Sequence, residues 1–288
     1  MGFRLANVDG RAALVHGDRY TDLATHSQGA LSPDPMQALG RPDLLNELSA
    51  QLDDASATGL LADVTLGPPV PRPQKIFGIG LNYATHVAES GMETPSNPVV
   101  FTKFPSCLTG PTGDVEIRSG GCDYEVELVV VIGRGGRDIS PDDAWAHVVG
   151  VTVGQDISDR PVQFAAKPPH FDLAKSFDTF GPLGPVVVST DQLVERDALH
   201  LTCEINGETR QDGTTADLIF DVPTLISYLS SITTLTTGDL IFTGTPDGVG
   251  AAQGKFLADG DIITTTIDGI GTMTNRVVRT SDPRPIGG

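Results

Sequence analysis

Basic residues are few and scattered in this chain: 19 Lys and Arg stand against 37 Asp and Glu, a formal net charge of -18, and nowhere do the cations cluster. A surface of that sign offers no footprint for a nucleic-acid backbone, which removes DNA and RNA from the expected partners. The acidity reads as solubility before any part in attracting a cationic substrate or metal. Cysteine is equally sparse. Cys107, Cys122 and Cys203 are odd in number and show no paired metal-ligand spacing, so no disulfide framework is expected and a reducing cytoplasm is the expected compartment. No apolar run approaches the length that crosses a bilayer, and MGFRLANVDG has no cationic stretch leading into an apolar one, so neither membrane insertion nor export is expected.

What is present suffices for a substantial core, since 39% of the 288 residues are hydrophobic. From Phe3 to about Leu23, apolar segments separated by Asp9-Gly10 and Gly17-Asp18 predict a small β-meander. Helical spacing follows in Asp34 to Leu39 and in Pro42 to Leu52, with Pro42 suited to a first helical position. The prolines Pro68, Pro69, Pro71 and Pro73 then predict an extended connector and a domain boundary. Beyond it strands dominate, at Lys75–Gly80, Val99–Lys103, Tyr124–Ile132, Val148–Gln155, Leu201–Asn206, Asp239–Thr243, Asp261–Ile267 and Met273–Val278. Capped helix starts at Ser140-Pro141-Asp142-Asp143 and Asp221-Val222-Pro223 lead into Ala144–His147 and Thr224–Leu229. Asn206-Gly207 is a two-residue hairpin signal, and the tail SDPRPIGG has too little apolar content to be held firmly.

The chemistry concentrates in DYEVELVVVI. Strand side chains alternate, so Glu125 and Glu127 project from one face, while the apolar run behind them occupies both faces and predicts a strand covered on both sides. Two such carboxylates repel and lose hydration unless a cation compensates, and a bound metal is the simplest one. The blander alternative places both at a frayed strand start, paired with Arg or Lys. Asp156 closes the apolar run VVGVTVGQD and can supply a third oxygen. Three carboxylates with no Cys or His pair favour a hard divalent ion, Mg2+ or Mn2+ ahead of Ca2+, over zinc. In GIGLNYATHVAE, helical spacing puts His86 and Glu89 on one face, where the carboxylate can orient the imidazole as a base toward water or merely pair with it on a surface helix. GIGLNY lacks the third glycine of a dinucleotide loop.

These segments resemble the fumarylacetoacetate hydrolases, a family that includes acylpyruvases and related catabolic enzymes. The matching motifs are GIGLNYATHVAE, DYEVELVVVIG, VTVGQDISDR, AKSFDTFGPLGP, INGETRQDG and TTGDLIFTGTPDGVG, in the family's order across Lys75 to Val278. The resemblance implies an α+β, mainly β fold: a mixed β-roll catalytic domain at residues 71–280 behind a small N-terminal α+β domain at 1–70, with a flexible tail at 281–288. It also implies a divalent metal on Glu125, Glu127 and Asp156, a His86–Glu89 pair on a mobile lid, catalytic Lys175, and substrate contacts from Arg160, Gln163 and Thr245. Each has a bland counterpart: Arg160 and Lys175 can simply balance buried carboxylates, and Thr243 or Thr245 can cap the turn at Pro246. A homodimer is implied as well.

The activity implied is metal-dependent hydrolysis of a carbon-carbon bond in a small 2-oxo or β-dicarbonyl acid, of acylpyruvate, fumarylpyruvate or diketo acid type, through a metal-stabilised enolate. Decarboxylation of oxaloacetate and isomerisation of unsaturated dioates use the same chemistry and stay open. A non-catalytic metabolite-binding protein is the alternative of another class. Between Gln163 and Lys175 the chain reads FAAKPPHFDLA, and what the Pro168-Pro169-His170 loop selects does not follow from its residues.

Overall fold

The computed structural model describes residues 2–53 and 55–280, and the expected flexible tail, 281–288, lies outside the described residues. Strand Val126–Ile132 is buried at every position, as the unbroken run VELVVVI requires of a strand with protein on both faces. It pairs antiparallel on one side with Val148–Gln155, Val126 facing Gln155 and Glu127 facing Gly154, and on the other with Leu240–Phe242. Leu240–Phe242 runs parallel to Ile76–Gly80, whose outer neighbour is Val99–Thr102.

On the opposite flank Val148–Gln155 pairs with Gly181–Val188, which in turn pairs with Arg4–Val8. Arg4–Val8 opens the expected meander with Arg11–His16 and Arg19–Asp22, so a single mixed sheet, 12-stranded among the described residues, runs from the N-terminal segment to the centre. The chain crosses the expected boundary near residue 70 while backbone hydrogen bonding continues across the sheet. Gly181–Val188, which joins the two parts, is a strand that the periodicity does not predict. Its sequence GPLGPVVV opens with two glycines and two prolines, and these hide a strand register.

A second sheet, ordered Glu208–Thr214, His200–Ile205, Ile262–Ile267, Gly271–Arg279 and Val115–Ile117, lies against the first. Gln155 bridges the two layers, its Nε2 donating to Thr265 Oγ1 at 3.0 Å. The architecture is α+β and mainly β, with mixed sheets that do not close into a barrel. The predicted hairpin forms at Asn206-Gly207, both residues having the positive φ that such a turn needs, 54° and 78°. Asp221 caps helix Val222–Ile232, accepting from the Thr224 N–H. The helix expected at Ala144–His147 is a 3-10 helix, Pro141–His147, whose start is capped by Ser140. Among the described residues no helix is long and apolar enough to cross a membrane.

Asp22 ties the meander to the helix that follows it. Its carboxylate accepts from Arg11 Nε and Nη2 at 2.7 and 3.0 Å and from the Thr25 N–H at 2.9 Å. The Arg11 hydrogen bonds are the main reason that its pKa falls from 3.8 to about 2. A carboxyl depressed by folding stabilises the fold above its unfolded pKa and loses that contribution as pH falls through its folded one. Asp22→Ala is therefore expected to cost about 1 kcal/mol near neutral pH in urea unfolding, the size of a lost helix cap. The gap from the parent protein should close as the pH falls from 3.8 toward 2; a gap unchanged over that interval would refute the charge-based part of the cost.

Candidate metal and catalytic site

The strand pairing delivers three carboxylates to one point. Glu125 immediately precedes Val126–Ile132 and Glu127 is its second residue, so alternation puts both on one face. Because the neighbouring strand is antiparallel, its end lies beside that start, and the Asp156 N–H donates to the Glu125 carbonyl at 2.9 Å. One carboxylate oxygen from each of Glu125, Glu127 and Asp156 lies within 4.8 Å of the others, and all three residues are buried.

Protein cations compensate two of the three. Lys175 Nζ donates to Glu125 Oε2 at 2.7 Å and to Asp156 Oδ2 at 2.6 Å. Arg160 Nη2 donates to Glu125 Oε1 at 2.5 Å and to Asp123 Oδ2 at 2.7 Å, and its Nε also donates to Asp123 Oδ2, at 2.9 Å. On the other side of Asp156, the buried Lys103 Nζ donates to Oδ1 at 2.6 Å, to the Phe180 carbonyl at 3.0 Å and to the Lys175 carbonyl. Burial raises the Glu125 pKa, but Lys175 and Arg160 outweigh it and hold the carboxyl below its ordinary range. Glu127 has no ion pair among the described residues; its hydrogen bond comes from the Gly244 N–H at 2.6 Å. Burial first, then Asp156 and Glu125, push its pKa well above the ordinary value.

The expected pairing with Arg and Lys is thus present, yet the strand start is buried instead of frayed, and one carboxylate remains uncompensated. Three hard oxygen donors converging, one of them a buried carboxylate without a counter-ion, fit a divalent metal.

The His86–Glu89 pair borders the same cavity. His86 Nδ1 lies 3.4 Å from Glu89 Oε2 on helix Ala84–Ser90, whose outer face is exposed, and the two side chains are partly buried toward the cavity, 14% and 20% exposed. Glu89 is anchored in turn, its two oxygens accepting the Gly248 N–H at 3.0 and 3.1 Å. The TGTPDGVG loop therefore serves several carboxylates at once: Gly244 donates to Glu127, Gly248 to Glu89, and Gly250 to Asp123 Oδ1 at 2.6 Å. Gly244 and Gly248 take φ of +101° and +97°, and a Cβ on Gly248 would stand 2.0 Å from the Arg210 carbonyl oxygen. Glycine is required at both. Asn82 fixes the base of the helix, donating to the Phe220 and Thr243 carbonyls at 3.1 and 2.7 Å.

All of the expected site residues that line the cavity do so around a volume of about 310 Å³: His86, Glu89, Glu125, Glu127, Arg160, Gln163, Lys175 and Thr245. Asp156 lies behind Lys175, hydrogen bonded to it. Gln163 Oε1 accepts from Arg160 Nη1 at 2.8 Å, which leaves its amide NH2 as a donor. The Thr245 hydroxyl donates to the Val126 carbonyl at 2.9 Å and accepts from Gln211 Nε2 at 2.8 Å. Pro168, Pro169 and His170 are exposed and do not line the cavity.

Two residues of the site escape the sequence reasoning. Lys103 ends the run VVFTK and Asp123 precedes the two glutamates of DYEVE, and each stands at the edge of an apolar segment. That is a weak signal, because only tertiary pairing distinguishes such a residue from an exposed strand end.

The fold and the carboxylate cluster define a class of metal-site enzymes, and sequence comparison narrows it. Residues 75–278 match the fumarylacetoacetate (FAA) hydrolase C-terminal family, and the chain belongs to the fumarylacetoacetate hydrolase family. It is 45% identical over 226 residues to oxaloacetate tautomerase YisK of Bacillus subtilis (strain 168), covering 75% of this chain and 74% of that one. A solved Mycobacterium smegmatis structure is 47% identical with a TM-score of 0.90, covering 97% of this chain and 100% of the other. Maleylpyruvate hydrolase from Sphingobium sp. SYK-6, solved with manganese(II) ion and pyruvate, is 30% identical with a TM-score of 0.81 over 96% of this chain and 100% of its own.

Lys103→Met would leave the buried Asp156 with one ammonium partner. Breaking a buried pair in this way costs about 3–5 kcal/mol, readable by urea unfolding. Saturating Mn2+ should raise the stability of parent and variant, since an ion that binds only the folded state stabilises it; unfolding midpoints of both proteins that do not move with the ion would argue against a cation site at these carboxylates.

Proposed function

We propose that this chain is a metal-dependent enzyme that cleaves a carbon-carbon bond in a small 2-oxo acid bearing a second carbonyl two carbons away, a 2,4-dioxo acid in the simplest case. The observation that carries this is a cluster of three buried carboxylates, two of them lining a cavity that a His–Glu pair also borders. A divalent ion held by Glu125, Glu127 and Asp156, Mg2+ or Mn2+ ahead of Ca2+, would supply positive charge for the substrate's carbonyl oxygens and for the negative charge developed during cleavage.

The residues divide the remaining work. Nδ1 of His86 faces Glu89, so Nε2 is the atom left to take a proton from water. The hydroxide so formed adds to C4, the C3–C4 bond breaks, and its electron pair remains on C3 as the enolate of pyruvate. Protonation at C3 then gives pyruvate, and the acyl part leaves as a carboxylate. Lys175 and Arg160 hold positive charge beside the substrate carboxylate and the enolate, Arg160 with its fork already fixed by Asp123. Gln163 offers its amide NH2, whereas Thr245, its proton spent on Val126, can only accept.

The relatives' names favour a second reading, keto-enol tautomerisation of oxaloacetate at the same site. Decarboxylation and dienedioate isomerisation belong with it. These reactions move protons or lose carbon dioxide without attack by water, so the His86–Glu89 pair separates them from hydrolysis.

Purified protein should turn over an acylpyruvate, lose that activity in EDTA and regain it with Mg2+ or Mn2+. Persistent inactivity toward every 2-oxo acid under all metals would favour a non-catalytic binding protein. Glu127→Ala is expected to abolish metal retention and activity together, and a normal metal content in that variant would remove Glu127 from the ligand set. His86→Ala should keep its metal while hydrolysis falls by about 10²–10⁴ in kcat; tautomerisation or decarboxylation that survives the change while hydrolysis never appears would select the second reading.

A further inference from the structure

Beyond the carboxylates, the cavity changes character. Its deep end is polar and almost wholly buried, with Glu125, Glu127, Gln163 and Lys175 at most 6% exposed. Its outer wall is apolar. Phe101, over whose ring Lys175 Nζ lies 5.0 Å from the centroid, marks where the floor gives way to this wall, and it stacks on Phe171 with ring centroids 5.9 Å apart and an interplanar angle of 27°. At the mouth Val99, Met92 and Phe164 are 37%, 52% and 54% exposed, unusual values for side chains of this kind gathered on one opening.

Charge on this wall is equally one-sided. The cations that line the cavity are Arg160 and Lys175, together with His86 if protonated, and each already faces a carboxylate of the protein. Glu89 adds a negative charge to the lining. Lys167 and His170, in the neighbouring exposed loop, do not line the cavity. A ligand whose first carboxylate sits at the metal end finds no lining cation free of a protein carboxylate to pair with a second one, which would lie against apolar side chains and near the negative charge of Glu89.

We propose that this wall is a substrate subsite selecting a 2-oxo acid whose distal substituent is apolar, an alkyl or aryl acyl group, against dioates of the same length. The inference rests on the reading of the cavity as a 2-oxo acid site. Phe101, Phe164, Phe171, Val99 and Met92 are then its specificity-determining residues. They act by burying the tail, and each methylene that leaves water for such a wall is worth a factor of about four in affinity.

Two measurements on the Mn2+-loaded protein test this. The first is kcat/KM for 2,4-dioxo acids with methyl, propyl, pentyl and phenyl acyl groups, beside oxaloacetate and a 2,4-dioxo dioate matched in length to the pentyl compound. The second is calorimetry with 2-oxo monoacids of increasing chain length, which lack the second carbonyl and cannot be cleaved. The expected results are a rise of more than about tenfold from methyl to pentyl, a matched dioate at least about tenfold below it, and a binding heat capacity that grows more negative with chain length. Phe164→Arg, which places a cation at the exposed mouth, should shift the ratio of dioate to pentyl substrate by about tenfold or more toward the dioate.

A flat chain-length series, or a preference for oxaloacetate or the matched dioate in the parent protein, overturns the subsite while leaving the 2-oxo acid reading intact. So does a Phe164→Arg variant whose only change is its oligomeric state, since the exposed side chains would then be an interface between copies of the chain. Absence of both turnover and binding for all of these acids would remove the 2-oxo acid reading and the subsite with it.

Discussion

Burying a carboxylate in its charged form is costly unless positive charge or hydrogen-bond donors compensate it, and this fold places three of them within 4.8 Å. At an effective dielectric of about 20, each such pair repels by roughly 3–4 kcal/mol, a large share of the ~5–15 kcal/mol that a domain has in total. Much of the surrounding structure answers that cost. Lys103 and Lys175 grip the two oxygens of Asp156 from opposite sides, and Arg160 spans Glu125 and Asp123. Glu127 alone has backbone in place of a cation, which is why the site fits a divalent ion and not simply a buried salt-bridge network.

Backbone completes what the side chains begin. The TGTPDGVG loop follows Leu240–Phe242, whose pairing with Val126–Ile132 brings the loop over the carboxylates. Its glycine N–H groups then reach Glu127, Glu89 and Asp123, a metal-ligand candidate, the orienting partner of His86 and the anchor of Arg160. One loop thereby ties together the carboxylate cluster, the His86–Glu89 pair and the Asp123 that holds the Arg160 guanidinium. Glycine at 244 and 248 is a steric necessity of this arrangement, because their φ values and the close approach of Asn82 and Arg210 leave no room for a Cβ.

The same geometry divides the cavity into a charged floor and an apolar mouth. Under the proposed reading the floor, with Glu125, Glu127, Arg160 and Lys175, is where the 2-oxo acid end of a substrate would be held. The distal end of such a substrate would meet the segments 92–101 and 164–171, which supply the outer lining here.

Much of this was legible from local pattern. Alternation placed Glu125 and Glu127 on one face, the two-sided apolar run identified a covered strand, Asn206-Gly207 identified its hairpin, and helical spacing paired His86 with Glu89. Each depends on neighbours a few residues apart, and those relations survive in a linear string. Gly181–Val188 did not follow, because its glycines and prolines carry no periodic signal and the strand exists through its partners on either side. Lys103 and Asp123 did not follow either: a lysine at a strand end and an aspartate before one have ordinary solvated readings, and only contacts 53 and 37 residues away, to Asp156 and Arg160, make them part of the site.

The sequence by itself determined the family, the covered central strand and the residue types able to hold a hard metal, since these follow from local periodicity and motif order. Tertiary structure alone decided which cation neutralises which carboxylate, that Glu127 is left without one, and that the cavity ends in an aromatic wall. Burial and Coulomb interaction depend on distance in space, and the chain order of these residues does not encode it.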